Sequence, residues 1–432
     1  MRFLYSLMWW LALPLVLARL WLRGRQEPGY RRHWAERLGW YGRKPAGAAP
    51  PTVWLHAVSV GETRAAEPLV DALLAAWPEC RIVLTHMTPT GRAAGSALFG
   101  KHGARLLQSY LPYDTGTMVG SFIARFEPRI CLLMETEVWP NLIAVCGRRG
   151  VPVALLNARL SQRSLGKARR FGRLLLDAAR GITLVAAQTE ADAARVRALG
   201  AARVVVTGSI KFDVAVPAAA LAAGARLRAQ FGARPVLLCA STRDGEEALI
   251  LDAYQGAAGL PAGLLLVLVP RHPQRFDGVA ALLAARGLSA RRRSQLALDE
   301  AALPAGVQVL LGDSMGEMFA YYAACDCAFI GGSLLPLGGQ NLIEASALGK
   351  PVLTGPHTFN FALVTQDALA AGAAELAPDA DALMRQASAL LQDGARLAAM
   401  GERALAFASQ HRGATARTLA LLAPLLRMDP PA

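Results

Sequence analysis

The chain has 432 residues, 53% of them hydrophobic and 18% charged, with a formal net charge of +14. It is too long for one ordinary core and too apolar to be disordered, so two folded domains are expected. The positive excess is nearly all arginine and points to an anionic partner. No RNA- or DNA-binding signature accompanies it, so an acidic membrane or a phosphorylated substrate ranks above nucleic acid.

The first predicted element is "FLYSLMWWLALPLVLARLWL", Phe3 to Leu22, apolar except for Ser6 and Arg19. As a helix it reaches roughly 30 Å, enough to cross a bilayer. No small-residue cleavage site comes after it, which argues against a cleaved signal. Arg23, Arg25, Arg31 and Arg32 come next and favour a cytoplasmic location for the rest of the chain. Trp9, Trp10 and Trp21 suit a membrane interface. Pro14 and Arg19 weaken a strict span and leave open a helix lying in the membrane surface.

From residue 51 the pattern is short apolar strand, turn, helix. The strand candidates are "TVWLHAVSV", "CRIVLTHM", "ARLLQSYLP", "RICLLMETE", "VPVALLNA", "ITLVAAQT" and "RVVVTGSI". Strands that are apolar on both faces, alternating with helices, predict a parallel sheet covered on both sides. The first strand hands over to a helix at Gly61-Glu62, and the fourth ends in Glu135 and Glu137. A carboxylate closing an apolar strand is either paired or functional. For Glu62 the plain alternative is a helix cap; for Glu135 and Glu137 it is a buried arginine partner. "NARLSQRS" adds Arg159 and Arg163, and "TGSIKFD" adds Lys211.

The pattern breaks near residues 207–221, where a domain boundary is expected, and then restarts with "RPVLLCAS", "GLLLVLVP", "VQVLLGDS", "DCAFIGGS" and "KPVLTGP". The tail reads as helices only. Two such halves imply a cleft between them, with strand carboxyl ends facing it. "FIGGSLLPLGGQNLIEASALG" places a glycine-bearing loop before a predicted helix. Loop amides and the helix start would hold a phosphate, and Asn341 and Glu344, three apart, would face a ribose. Arg271 and His272 follow one strand, Asp313 to Glu317 a second, and Ser241 to Arg243 a third. A P-loop and a dinucleotide fingerprint are both absent, which argues against an ATPase and a dehydrogenase. The six cysteines lack C-x-x-C spacing and read as buried free thiols. The Asp-x-Asp at Asp379 reads as a helix start, and the seven histidines show no metal spacing.

In combination, "HAVSVGE", "METEVWPN", "NARLSQRS", "TGSIKFD", "VPRHPQRF", "GDSMGEM" and "GGSLLPLGGQNLIEASALGKPVLTGPHTFNF" resemble the Kdo transferases of lipopolysaccharide assembly, from the apolar segment to about residue 410. The resemblance implies an α/β protein of GT-B type, with two Rossmann-like domains facing a central cleft and an N-terminal membrane-anchor helix. The expected divisions are 1–30 for the anchor and its basic flank, 31–212 for the acceptor domain and 213–432 for the nucleotide-sugar domain. It implies transfer of 3-deoxy-D-manno-octulosonic acid (Kdo) from CMP-Kdo to a phosphorylated lipid A precursor, at the cytoplasmic face of the inner membrane, with no cofactor. Glu62 matches the general base. Arg271 and His272, then Met315, Gly316 and Glu317, then Asn341, Leu342, Ile343 and Glu344 match the CMP contacts. Arg243 stands where a histidine is more usual, and the segment after Glu344 lacks a more usual proline. Two other readings remain open. One is a GT-B transferase that uses a UDP-sugar on a lipid. The other is a membrane-tethered nucleotide-binding protein without turnover, in which Glu62 is a cap.

Overall fold

A computed structural model describes residues 1–42, 50–170, 172–214, 216–296 and 302–426. Fourteen strands are seen among these residues, in two sheets of seven. In the first sheet the strands are β1 (Thr52–His56), β2 (Arg81–His86), β3 (Leu106–Tyr110), β4 (Pro128–Met134), β5 (Val153–Ala158), β6 (Leu184–Ala187) and β7 (Val204–Val206), in the order β3-β2-β1-β4-β5-β6-β7. In the second they are β8 (Val236–Thr242), β9 (Leu265–Pro270), β10 (Ala290–Arg292), β11 (Val309–Leu311), β12 (Cys327–Ile330), β13 (Val352–Thr354) and β14 (Ala374–Leu376), ordered β10-β11-β9-β8-β12-β13-β14. Every pairing in both sheets is parallel.

The helices that bear on the site are α1 (Arg2–Arg23), α2 (Val60–Ala65), α3 (Pro140–Arg148), α4 (Ile343–Ala347) and α5 (Ala414–Leu426). They lie within a doubly wound α/β arrangement, the GT-B type of fold. Strand β1 shows why its residues are apolar throughout. Val53 and Leu55 point into one buried layer, while Trp54 points into the other, against Phe122 at 4.2 Å between ring centroids. Alternation puts successive side chains on opposite faces, and a parallel sheet covered on both sides buries all of them. Each such side chain contributes roughly 1.5–3 kcal/mol. All six cysteines are buried free thiols.

The chain divides into two compact units, Met1–Asp213 with Arg412–Ala432, and Val214–His411. This corrects the expected 213–432 domain at its carboxyl end, because α5 belongs to the first unit. Ala414, Leu422 and Leu426 enter the core around Leu69 and Leu73. The amides of Gly413 and Thr415 donate to the Asp213 carboxylate, and the Arg417 guanidinium donates to the Thr207 carbonyl at 2.9 Å. An apolar helix with one greasy face goes where that face is covered, whatever its place in the sequence. β10 and β14 were missing from the expected strands. Both are three-residue edge strands, and β10 is "ARR", short and charged as edges tend to be.

Candidate functional site

In the first unit the site is built on the carboxyl ends of β1, β4 and β5. Ser59 caps α2, its hydroxyl accepting the Glu62 amide at 3.3 Å. The Glu62 carboxylate reaches back and accepts the Val58 amide at 2.7 Å and the Ser59 hydroxyl at 3.3 Å. This is a capping box shifted back by one residue. The cap and the functional reading are therefore not exclusive: the capping bonds fix the orientation of a half-buried carboxylate. Burial raises the Glu62 pKa above the ordinary carboxylate value, and the charge of Glu135 adds to this. The Val58 amide, Ser59 and Lys211 pull it down.

Glu135 follows β4 and is buried. Lys211 lies 2.7 Å from one of its oxygens and Arg159 lies 3.2 Å from the other. The arginine-partner reading of Glu135 is thus the observed one, with a lysine added. Glu137 is half-buried, and its carboxyl is pushed up to about 7, first by burial and then by the charge of Glu62. Near neutral pH the Glu137 carboxyl is therefore partly protonated beside Glu62. The backbone here is also unusual. Glu135 and Asn157 have φ of +57° and +52°, a region that costs non-glycine residues energy and is tolerated where surrounding structure enforces it. Asn157 accepts the Ile210 amide at 3.2 Å, which ties β5 to the segment carrying Lys211. The other conspicuous group of "HAVSVGE", His56, is wholly buried against Thr85. Burial lowers its pKa to about 3, so it stays neutral and is a core residue.

In the second unit the parallel order β11-β9-β8-β12 brings four polar strand ends side by side. Arg271 is half-buried just after β9, its amide donating to the Thr242 carbonyl at 2.9 Å. His272 is exposed. Slight burial, then the charges of Arg243, Arg271 and Arg275, keep its pKa below the usual value. Arg275 is paired with Asp244 and Glu247, each at 3.0 Å, so the cations suited to a phosphate here are Arg271 and Arg243, beside the His272 imidazole. After β11, Met315 and Gly316 are exposed, and Glu317 accepts from the Arg293 guanidinium at 2.8 Å and from the Ser314 hydroxyl at 2.5 Å. Asn341 donates to Glu344 at 3.1 Å and accepts the Ile343 amide at 3.0 Å. Leu342 and Ile343 have buried side chains, so whatever they offer a ligand is backbone.

Two expectations for the glycine loop need correction. The helix predicted over "QNLIEASALG" is only α4, five residues, too short for a sizeable dipole. Three amides at the start of the loop are also already engaged. The fully buried Glu246 carboxylate accepts the amides of Gly332 at 2.6 Å, Ser333 at 2.9 Å and Leu334 at 2.9 Å, and that of Arg243 at 2.8 Å. The anion in this nest belongs to the protein. Gly331 is required for closeness: a Cβ there would sit 2.6 Å from the Ser241 carbonyl oxygen. Glu246 was not singled out from the sequence. The acid three residues after Arg243, at the start of a helix, was the available sign of it.

Residues 32–214 match the family model described as 3-Deoxy-D-manno-octulosonic-acid transferase (kdotransferase). A 3-deoxy-D-manno-octulosonic acid transferase of Bordetella pertussis is 49% identical over 94% of this chain and 95% of its own length. The chain belongs to the Kdo transferase family. A Haemophilus influenzae relative of the same name is 38% identical over 99% of both chains. The fold of this transferase is also similar to the crystal structure of UDP-GlcNAc 2-epimerase from Neisseria meningitidis, with a TM-score of 0.57 and 16% identity over 86% of this chain and all of that one. At that identity the likeness concerns the fold alone.

Proposed function

We propose that this Kdo transferase takes Kdo from CMP-Kdo and adds it to a phosphorylated lipid A precursor in lipopolysaccharide assembly, at the cytoplasmic face of the inner membrane, with Glu62 as general base. The observation that carries the reading is Glu62 itself: a carboxylate that accepts two hydrogen bonds, from the Val58 amide and the Ser59 hydroxyl, made more basic by burial, beside Glu137. A sugar hydroxyl is a poor nucleophile until its proton begins to leave, and a base fixed on a rigid joint takes that proton with little reorganisation. As the acceptor oxygen bonds to the anomeric carbon of Kdo, the bond from that carbon to the CMP phosphate oxygen breaks, and its electron pair leaves with CMP. Direct attack inverts the anomeric centre, with no covalent intermediate.

The second unit binds the donor. Arg271, supported by Arg243 and the neutral imidazole of His272, meets the growing phosphate charge. Met315, Gly316 and Glu317 line the nucleotide, and Asn341 and Glu344 accept the ribose hydroxyls, with Leu342 and Ile343 contributing backbone only. Because Glu246 takes the amides of Gly332, Ser333 and Leu334, phosphate recognition rests on these cations and not on those three amides. Arg159 and Arg163 suit the acceptor phosphates. A donor screen with CMP-Kdo and UDP-sugars tests the reading. Turnover with CMP-Kdo supports it; turnover with a UDP-sugar alone, or CMP binding with no turnover of any donor, overturns it.

A further inference from the structure

Helix α1 has two faces of different character. Tyr5, Ser6, Trp9, Ala12, Leu13, Val16 and Leu17 are half-buried and Leu20 is buried, at helical spacing along one side. The opposite side exposes Phe3, Leu4, Leu7, Met8, Leu11 and Leu15, with Phe3 77% and Leu15 75% accessible. The start of the inner face is fastened to the body of the first unit, and the end of the helix is held by the turn that follows it. Near the start, Asn141 donates to the Ser6 hydroxyl at 2.9 Å, Tyr5 bonds Asp114, and Trp9 lies on Tyr113 with centroids 5.5 Å apart. Near the end, Arg31 donates to the Trp21 carbonyl at 3.1 Å and stacks on the Trp21 ring at 4.1 Å, while Arg23 stacks on Tyr30 at 4.9 Å.

We infer that α1 does not cross the membrane but lies in the plane of an anionic bilayer, bolted along the body with its outer face in the lipid. A spanning helix carries one end roughly 30 Å through hydrocarbon. Ser6 and Leu20 are about 21 Å apart along the axis, and keeping the attachments of Tyr5 and Ser6 in a spanning helix would draw Asp114 and Asn141 into that layer. Lying flat, the helix keeps every attachment and buries only its apolar face. The occupant is set by charge. Arg2, Arg19, Arg23, Arg25 and Arg32 are exposed, and no acid precedes Glu27. Apolar surface flanked by cations fits acidic headgroups over acyl chains.

The attachment also leads to the carboxylate site. Asp114 accepts the amides of Asn141 and Leu142 at 3.0 and 2.7 Å, at the start of α3. The residues just before α3 carry Glu135 and Glu137. The membrane-facing helix and the acids beside Glu62 are therefore braced against one element, which sets the height of that site above the lipid surface.

The inference deepens the membrane part of the proposed function, and its tests do not use Kdo transfer, so either can fail alone. The native thiols are buried, so new cysteines in the full chain can be read selectively. In membrane vesicles from expressing cells, a membrane-impermeant maleimide should label Arg2→Cys in inverted vesicles and not in right-side-out ones. Labelling only from the right-side-out face would establish a span and overturn the inference. In the Trp9→Cys/Tyr113→Cys variant, a short bismaleimide should close the pair as fully in vesicles as in detergent. Loss of that link on membrane binding, with the link intact in detergent, would also overturn it. Purified protein should pellet with phosphatidylglycerol-containing vesicles at least about tenfold more strongly than with neutral ones. Equal binding to both, or α1-dependent dimers in place of vesicle binding, would reassign the face to another partner.

Discussion

Glu137 offers a quantitative test of the carboxylate group. Its pKa is lifted from 4.5 to about 7, mainly by burial and then by Glu62. A tenfold change is about 1.4 kcal/mol, so the fold favours the protonated form by about 3 kcal/mol. The sign comes from linkage. Below pH 4.5 the group is protonated in both folded and unfolded chains and costs nothing. As pH rises through 4.5 to 7 the unfolded chain ionises first, and the folded state loses stability. Glu137→Gln removes the ionisation and keeps the shape. Relative to the natural chain, it should change stability by little at pH 5 and raise it by about 2–3 kcal/mol at pH 8.5. Urea unfolding at both pH values, followed through the unit that carries Glu137, measures this. An equal effect at both pH values would refute the argument that Glu137 sits desolvated beside another charged acid.

Other consequences can be checked alongside. Lys211→Met removes the cation 2.7 Å from Glu135 and one of the influences lowering the Glu62 pKa, so the acid limb of the pH–rate profile should move to higher pH; an unmoved limb would separate Lys211 from the site. Arg271→Ala should raise the KM for CMP-Kdo by roughly 10- to 100-fold, the loss expected for a charge-assisted phosphate contact, with a smaller effect on acceptor KM. Glu246→Ala leaves four amides without their acceptor and should destabilise the second unit by about 3 kcal/mol or more, with weakened CMP binding, as read by thermal unfolding and calorimetry.

The fold was legible because parallel strands buried on both faces must be continuously apolar. Twelve of the fourteen strands seen coincide with apolar runs of the sequence, while the two others are charged or short edges. The C-terminal helix α5 was misassigned because its apolar face carries no sign of which core receives it. In the site, Glu62, Glu135 and Glu137 stood out as acids at strand ends, and Asp379 as a helix start; it caps the helix Ala380–Gln392 through the Ala382 amide at 2.7 Å. Glu246 was not singled out: the Arg243 amide three residues away gave only the sign of an ordinary helix start, and its other three partners are backbone amides nearly ninety residues away. Side-chain identity does not encode such a bond. For the same reason the loop glycines suggested a phosphate nest, when the anion they cradle is the chain's own.

The measurement that bears most directly on the central claim is product mass. Purified enzyme is incubated with CMP-Kdo, generated in situ, and the phosphorylated lipid A precursor. The natural chain should add one or more Kdo masses, and folded Glu62→Gln should add none on the same time scale. No mass gain with the natural chain while CMP still binds, or near-normal turnover by Glu62→Gln, would contradict the account.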